Sequence, residues 1–186
     1  MKKILLVTLI LTLLMALPAL AEEGTTTVSV VEVNWNQDTM DAFVAAGFDG
    51  NMATITLKDG FQFQLLIPDS FEQRDLTAEE EEQGIELAVT NKETNSTFRI
   101  MNSTVEGLED FDGLAQMAQH LVSLNPETAI QFASINGVPA LISGLQAEDT
   151  VSIAFAPGGS RCVEIEFAPL EGNNQLVTFF MTSVQF

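Results

Sequence analysis

The chain has 186 residues, 46% of them hydrophobic, with one cysteine, one histidine, one tryptophan and no tyrosine. Its formal net charge of −19 disfavours contact with phosphate backbones and anionic headgroups, so nucleic acid is excluded as a partner. A lone cysteine cannot close an internal disulfide, and one cysteine with one histidine cannot build a Cys/His metal cluster, so the fold must rest on packing.

Residues 1–21 place Lys2 and Lys3 ahead of an apolar run from Ile4 to Leu17, followed by Pro18 and the small-residue triplet Ala19, Leu20 and Ala21. That is the layout of a secretory signal peptide, with cleavage expected after Ala21. No cysteine lies near that point, which excludes a lipoprotein anchor. Cleavage leaves 165 residues with five basic and 26 acidic side chains, a net charge of −21. The product is expected to be secreted, monomeric and free of the membrane.

Residues 22–27 read as a short flexible lead, and 28–186 as one domain whose first part, 28–50, is a strand-helix extension. The strand is expected over 28–35. The helix follows over 37–48, with Met40, Phe43, Val44 and Gly47 on one stripe and Asp38 near its positive end. MATITL and FQFQLLIP are β-rich runs joined by a turn at Asp59 and Gly60, a hairpin signature. In the second run Phe61, Phe63, Leu65 and Ile67 alternate with Gln62 and Gln64, which predicts one core face.

The next stretch, PDSFEQRDLTAEEEEQG, is the least apolar in the chain. Thr77 and Glu80 have the spacing of a capping box for a short helix, and the four charges Glu79, Glu80, Glu81 and Glu82 predict a solvated turn or loop. A calcium site there would need oxygen ligands converging from a shaped loop, whereas consecutive glutamates on a helix splay apart. A second hairpin, IELAVTNKE with STFRIMNSTV, comes next, and then a helix over 110–124 with Leu114, Met117, Ala118 and Leu121 inward and His120 on its polar side. TAIQFASI, VPALISGL, TVSIAFA and RCVEIEFAPL follow as strands, the first pair joined by Asn136 and Gly137 and the last by PGGS. The chain closes on a predicted helix with Val177, Phe180, Met181 and Val184 inward.

In RCVEIEF, strand alternation sets Cys162, Glu164 and Glu166 on one face and Val163, Ile165 and Phe167 on the other. Two carboxylates beside a thiol disfavour the thiolate, and Arg161 points to the opposite face, so Cys162 is expected to be inert. There is no nucleophile elbow, because PGGSRC lacks the second glycine. A carboxylate pair for glycoside hydrolysis lacks an aromatic sugar platform, Trp35 being the one tryptophan. Asp110 or Asp112 in EDFDG reads as a helix cap rather than a calcium loop.

The order of these elements, with the dipeptides of IPDS, the step NGVPAL and the ending TSVQF, resembles the PsbP-like family, which includes the yeast nuclear-import protein Mog and many secreted bacterial proteins. The likeness covers 54–186, and 28–48 resembles the extension of its secreted branch. Pro68, Asn136, Gly137 and Pro139 carry it, as turn and strand-entry residues. The resemblance implies an α+β fold of α/β-sandwich type, a central antiparallel sheet flanked by helices, and a non-enzymatic docking role. The residues with which relatives dock to a photosystem or a small GTPase have no match here.

These readings converge on an exported, non-catalytic binding or adaptor domain acting at the cell envelope or outside the cell, without catalytic residue, metal or cofactor. The partner is a protein or envelope component, and a cationic one suits the charge. The binding candidates are Trp35, Cys162, Glu164, Glu166 and the run Glu79, Glu80, Glu81, Glu82. A carboxylate-dependent hydrolase and a weak calcium-binding surface protein are the alternatives.

Overall fold

The computed structural model describes residues 29–145, 149–169 and 174–186. The expected signal peptide, its cleavage point and the lead at 22–27 lie outside the described residues. The described strands are β1 (Val30–Val33), β2 (Gly50–Thr56), β3 (Gln62–Pro68), β4 (Glu72–Arg74), β5 (Ile85–Thr90), β6 (Thr97–Thr104), β7 (Ala129–Ile135), β8 (Val138–Leu145), β9 (Thr150–Gly158) and β10 (Arg161–Ala168). The described helices are α1 (Gln37–Ala45), α2 (Ala78–Glu82), α3 (Phe111–Leu124) and α4 (Asn174–Thr182).

Eight strands form one sheet in the order β1-β7-β8-β9-β10-β6-β5-β4, and β2 and β3 form a separate hairpin. The order explains itself from the turns. Asn136 and Gly137 take φ of 51° and 82°, the mirror-image turn that two-residue hairpins need, and Ile135 faces Val138 across it. The PGGS segment closes β9 onto β10 with Gly158, Gly159 and Ser160 all at positive φ. The sheet is mixed rather than wholly antiparallel, because β1 runs parallel to β7, with Val30 beside Phe132 and Val33 beside Ile135. A parallel neighbour needs a long crossover, and here the chain between β1 and β7 holds the rest of the first half of the fold.

The fold is α+β, and both faces of the large sheet are used. One carries the main core: Phe98, Ile100, Phe155, Val163, Ile165 and Phe167 pack with Phe63, Leu65 and Leu66 of the β2-β3 hairpin, Phe43 of α1, and Phe179 and Phe180 of α4. Ring contacts thread it, with Phe98 and Phe180 centroids 4.1 Å apart. The opposite face carries a smaller core, in which Leu108, Leu114 and Ala118 cover Leu141, Ala154, Ala156 and Cys162. Gly113 sits where α3 begins, and a side chain there would meet the Gly107 carbonyl oxygen at 2.3 Å, so a glycine lets the helix lie this close to its own entry loop.

Several local expectations are altered by packing. In α1 the cap is Asn36, which accepts the Thr39 N–H in a capping box, while Asp38 lies in the first turn. Val44 faces solvent at 56% exposure, because the helix turns Phe43 onto Phe48 and Phe179. In β3 strict alternation fails at Leu66, buried beside Leu65, with its N–H donated to Ser183 Oγ of the C-terminal segment. β4 was hidden in the acidic stretch, since Glu72, Gln73 and Arg74 have no apolar alternation; β4 is fixed by pairing with β5, and Phe71 beside it is buried. The last helix stops at Thr182, and Val184 is buried beyond it, next to Gln185, which pairs with Gln64.

Candidate functional site

On the face that α3 partly covers, strand alternation lines up a row of polar groups. Cys162, Glu164 and Glu166 of β10 share this face, as their spacing predicts, opposite Ser103, Met101 and Arg99 of β6. On the other flank, β9 brings Ala154 beside Glu164 and Ser152 beside Glu166. The helix α3 lies over the Cys162 end and α2 meets the Arg99 end through Glu80, so Glu164 and Glu166 occupy the strip between the two helices.

At one end of the strip the charges are paired. Arg99 Nη1 donates to Glu166 Oε1 at 2.8 Å, and Arg99 Nε to Glu80 Oε1 at 3.0 Å. Arg74 grips the same Glu80 with two nitrogens, at 2.7 and 2.5 Å. Glu80 also accepts the Thr77 N–H, and Thr77 accepts the Glu80 N–H, which is the predicted capping box. The Arg74 hydrogen bonds, with smaller help from Thr77 and Arg99, drive the Glu80 carboxyl far below the ordinary carboxylate range.

Glu80 therefore departs from the expected solvated run. It is 8% exposed, whereas Glu79, Glu81 and Glu82 face solvent. The reason is geometric: a helix of five residues splays four consecutive carboxylates in different directions, and the one aimed at the sheet finds two guanidinium groups.

Glu164 is set differently. The Ser152 hydroxyl donates to its Oε1, but burial raises its pKa and the neighbouring Glu166 adds to that shift, outweighing the serine. Cys162, 2% exposed under α3, has its thiol pushed up to about 11, first by burial and then by Glu164. The thiol pKa moves in the expected direction, with burial rather than the carboxylates as the leading cause. His120 is exposed on α3, on the polar side where its spacing placed it.

Trp35 is not part of this strip. It packs against the main core, on the opposite side of the sheet, and its backbone N–H donates to Asn136 Oδ1 at 2.6 Å. Arg161 likewise leaves the row, its guanidinium over the Phe61 ring at 4.2 Å and bound to Asp59 and Asn102. The Phe61 N–H first and Arg161 second lower the Asp59 carboxyl to about 2.

Sequence reasoning missed Arg99 and Ser152, the two partners of the glutamate row. A signal was present: Arg99 sits between Phe98 and Ile100, so alternation alone turns it away from the core. Among the described residues no three His, Cys, Asp or Glu side chains converge as a metal site, and no described helix is long and apolar enough to cross a membrane.

No family model matches the chain, and no curated protein matches it. Among solved structures, one from Bacteroides thetaiotaomicron VPI-5482 is similar at a TM-score of 0.45 and 14% identity, over 66% of this chain and 44% of that one. The chain thus matches less than half the length of that neighbour, and a likeness this slight carries no argument about activity.

Proposed function

We propose that the chain is an exported, non-catalytic binding module of the PsbP-like α/β-sandwich type, acting at the cell envelope or outside the cell on a cationic protein or envelope component. The observation that carries this reading is the fate of its few reactive groups. The thiol is buried and held protonated, Glu80 and Glu166 are tied to arginines, and the imidazole stands apart on a helix surface. What remains outside is charge. Arg74, Arg99, Lys92 and Arg161 are each paired with a carboxylate, which leaves acidic groups such as Glu79, Glu81 and Glu82 in excess on the surface.

The test is a titration of the processed chain with a lysine-rich peptide. Reversing Glu79, Glu81 and Glu82 to lysine is expected to weaken binding more than the same reversal at Glu106, Glu109 and Asp112. Equal losses would reduce the interaction to net charge and remove the acidic helix from the binding surface.

One observation favours a second reading, a carboxylate-dependent hydrolase. Glu164, whose pKa burial raises, shares a face with the arginine-bound Glu166, and such chemistry uses two carboxyl groups in unlike settings. Turnover abolished by Glu164→Gln in a folded chain would replace the binding reading with that one.

A further inference from the structure

Asn136 and Gly137 form the one Asn-Gly step in the 186 residues. A glycine after asparagine leaves its backbone nitrogen open to attack the asparagine side chain. The turn is within reach of water, with Gly137 exposed and Asn136 half-buried.

We propose that Asn136 is a covalent modification site: deamidation at this step is held back in the folded chain by the hydrogen bonds of the Asn136 side chain, and unlatches the C-terminal segment once it occurs. In the reaction the Gly137 nitrogen bonds to Asn136 Cγ while the Cγ–Nδ2 bond breaks, and the departing nitrogen takes up the Gly137 amide proton and leaves as ammonia. Water then opens the five-membered succinimide, giving aspartate or, by cleavage on the other side, isoaspartate. No reagent other than water is consumed.

The restraint is visible atom by atom. Asn136 Oδ1 accepts the Trp35 backbone N–H at 2.6 Å, and Nδ2 donates to the carbonyl oxygens of Thr182 at 3.0 Å and Val184 at 2.5 Å. Swinging Cγ towards the Gly137 nitrogen breaks these bonds together, so attack waits for a local opening.

The consequence follows from the donor count. A carboxylate still accepts from Trp35, but it has no hydrogens for Thr182 and Val184 and sets negative charge against their oxygens. Isoaspartate in addition lengthens the backbone inside a two-residue turn. The segment released is the one that holds β3: Gln185 exchanges two backbone hydrogen bonds with Gln64, and Ser183 Oγ accepts the Leu66 N–H.

Peptide mapping by mass spectrometry tests the restraint. The full chain is incubated at mildly alkaline pH in buffer and in concentrated urea, and the gain of about one dalton at Asn136 is followed. In urea the gain is expected to run about tenfold faster or more, as local protection requires; equal rates overturn the proposal.

Hydrogen exchange on Asn136→Asp tests the latch. The amides of Gln64, Leu66 and Gln185 are expected to exchange faster than in the wild type while those of β9 and β10 do not change; unchanged exchange at all three overturns it. If that variant does not fold, the chain deamidated in urea is returned to buffer beside an unmodified control. Loss of refolding in the deamidated fraction alone supports the latch, and equal refolding with equal exchange removes it.

Discussion

Arg99 and Glu166 face each other across the β6-β10 ladder, and Arg99 Nη1 donates to Glu166 Oε1 at 2.8 Å. The same guanidinium reaches Glu80 at the start of α2, so one side chain joins the sheet to the helix that follows β4. Removing it takes the arginine from Glu166 and leaves Glu80 with Arg74 and the Thr77 N–H. Arg99→Met is expected to lower stability by about 1–3 kcal/mol in urea unfolding, less than for a fully buried pair because both Arg99 and Glu166 are partly exposed. A midpoint equal to that of the wild type would show that the bridge contributes nothing.

Glu80 should dominate the acid side of the stability curve. Its folded pKa is depressed by Arg74, Thr77 and Arg99, so its contribution is present above the unfolded carboxyl pKa and is lost as pH falls towards the folded value. Glu80→Gln is therefore expected to be destabilised at neutral pH, and its deficit to shrink on acidification. A deficit constant from neutral pH to about pH 2, below the ordinary carboxyl range, would contradict the ion-pair assignment.

Glu164 should behave with the opposite sign. Burial raises its folded pKa, so the folded chain holds that proton more tightly than the unfolded one. The stability this supplies is full below the unfolded pKa and is lost as pH rises through the folded value. Glu164→Gln, which keeps an acceptor for Ser152, is expected to be more stable than wild type at neutral pH and no more stable at about pH 3. Thermal melting across that range reads the crossover.

Cys162 offers a kinetic check on the packing of α3. With the thiol buried and its pKa near 11, an aromatic disulfide reagent at neutral pH should label it far more slowly than free cysteine. The rate should rise as urea unfolds the chain. Labelling at the speed of a free thiol in buffer would mean that α3 does not cover β10.

Much of this was legible in the sequence where the information is local. Alternation in RCVEIEF placed three side chains on one face, the Thr77 and Glu80 spacing announced a capping box, and Asn136 with Gly137 announced a turn. What could not be read there depends on contacts between distant residues. β4 exists because β5 offers it a ladder, and β1 pairs in parallel with a strand that only the long connection brings beside it. The Thr77 spacing marks Glu80 as a capping residue, but nothing in the run of four glutamates shows that Arg74 and Arg99 meet it and that it is buried. Asn136 could be read as a turn residue, but not as the acceptor for Trp35 or the donor to Thr182 and Val184.

In the proposed reading the glutamate row and the thiol serve structure, and the surface binds without turnover. The direct measurement is hydrolytic turnover of residues 22–186 on ester, amide, glycoside and phosphoester substrates, beside a folded Cys162→Ala, Glu164→Gln, Glu166→Gln control. No difference between the two is expected. Turnover in the wild type that disappears in the control would contradict that reading.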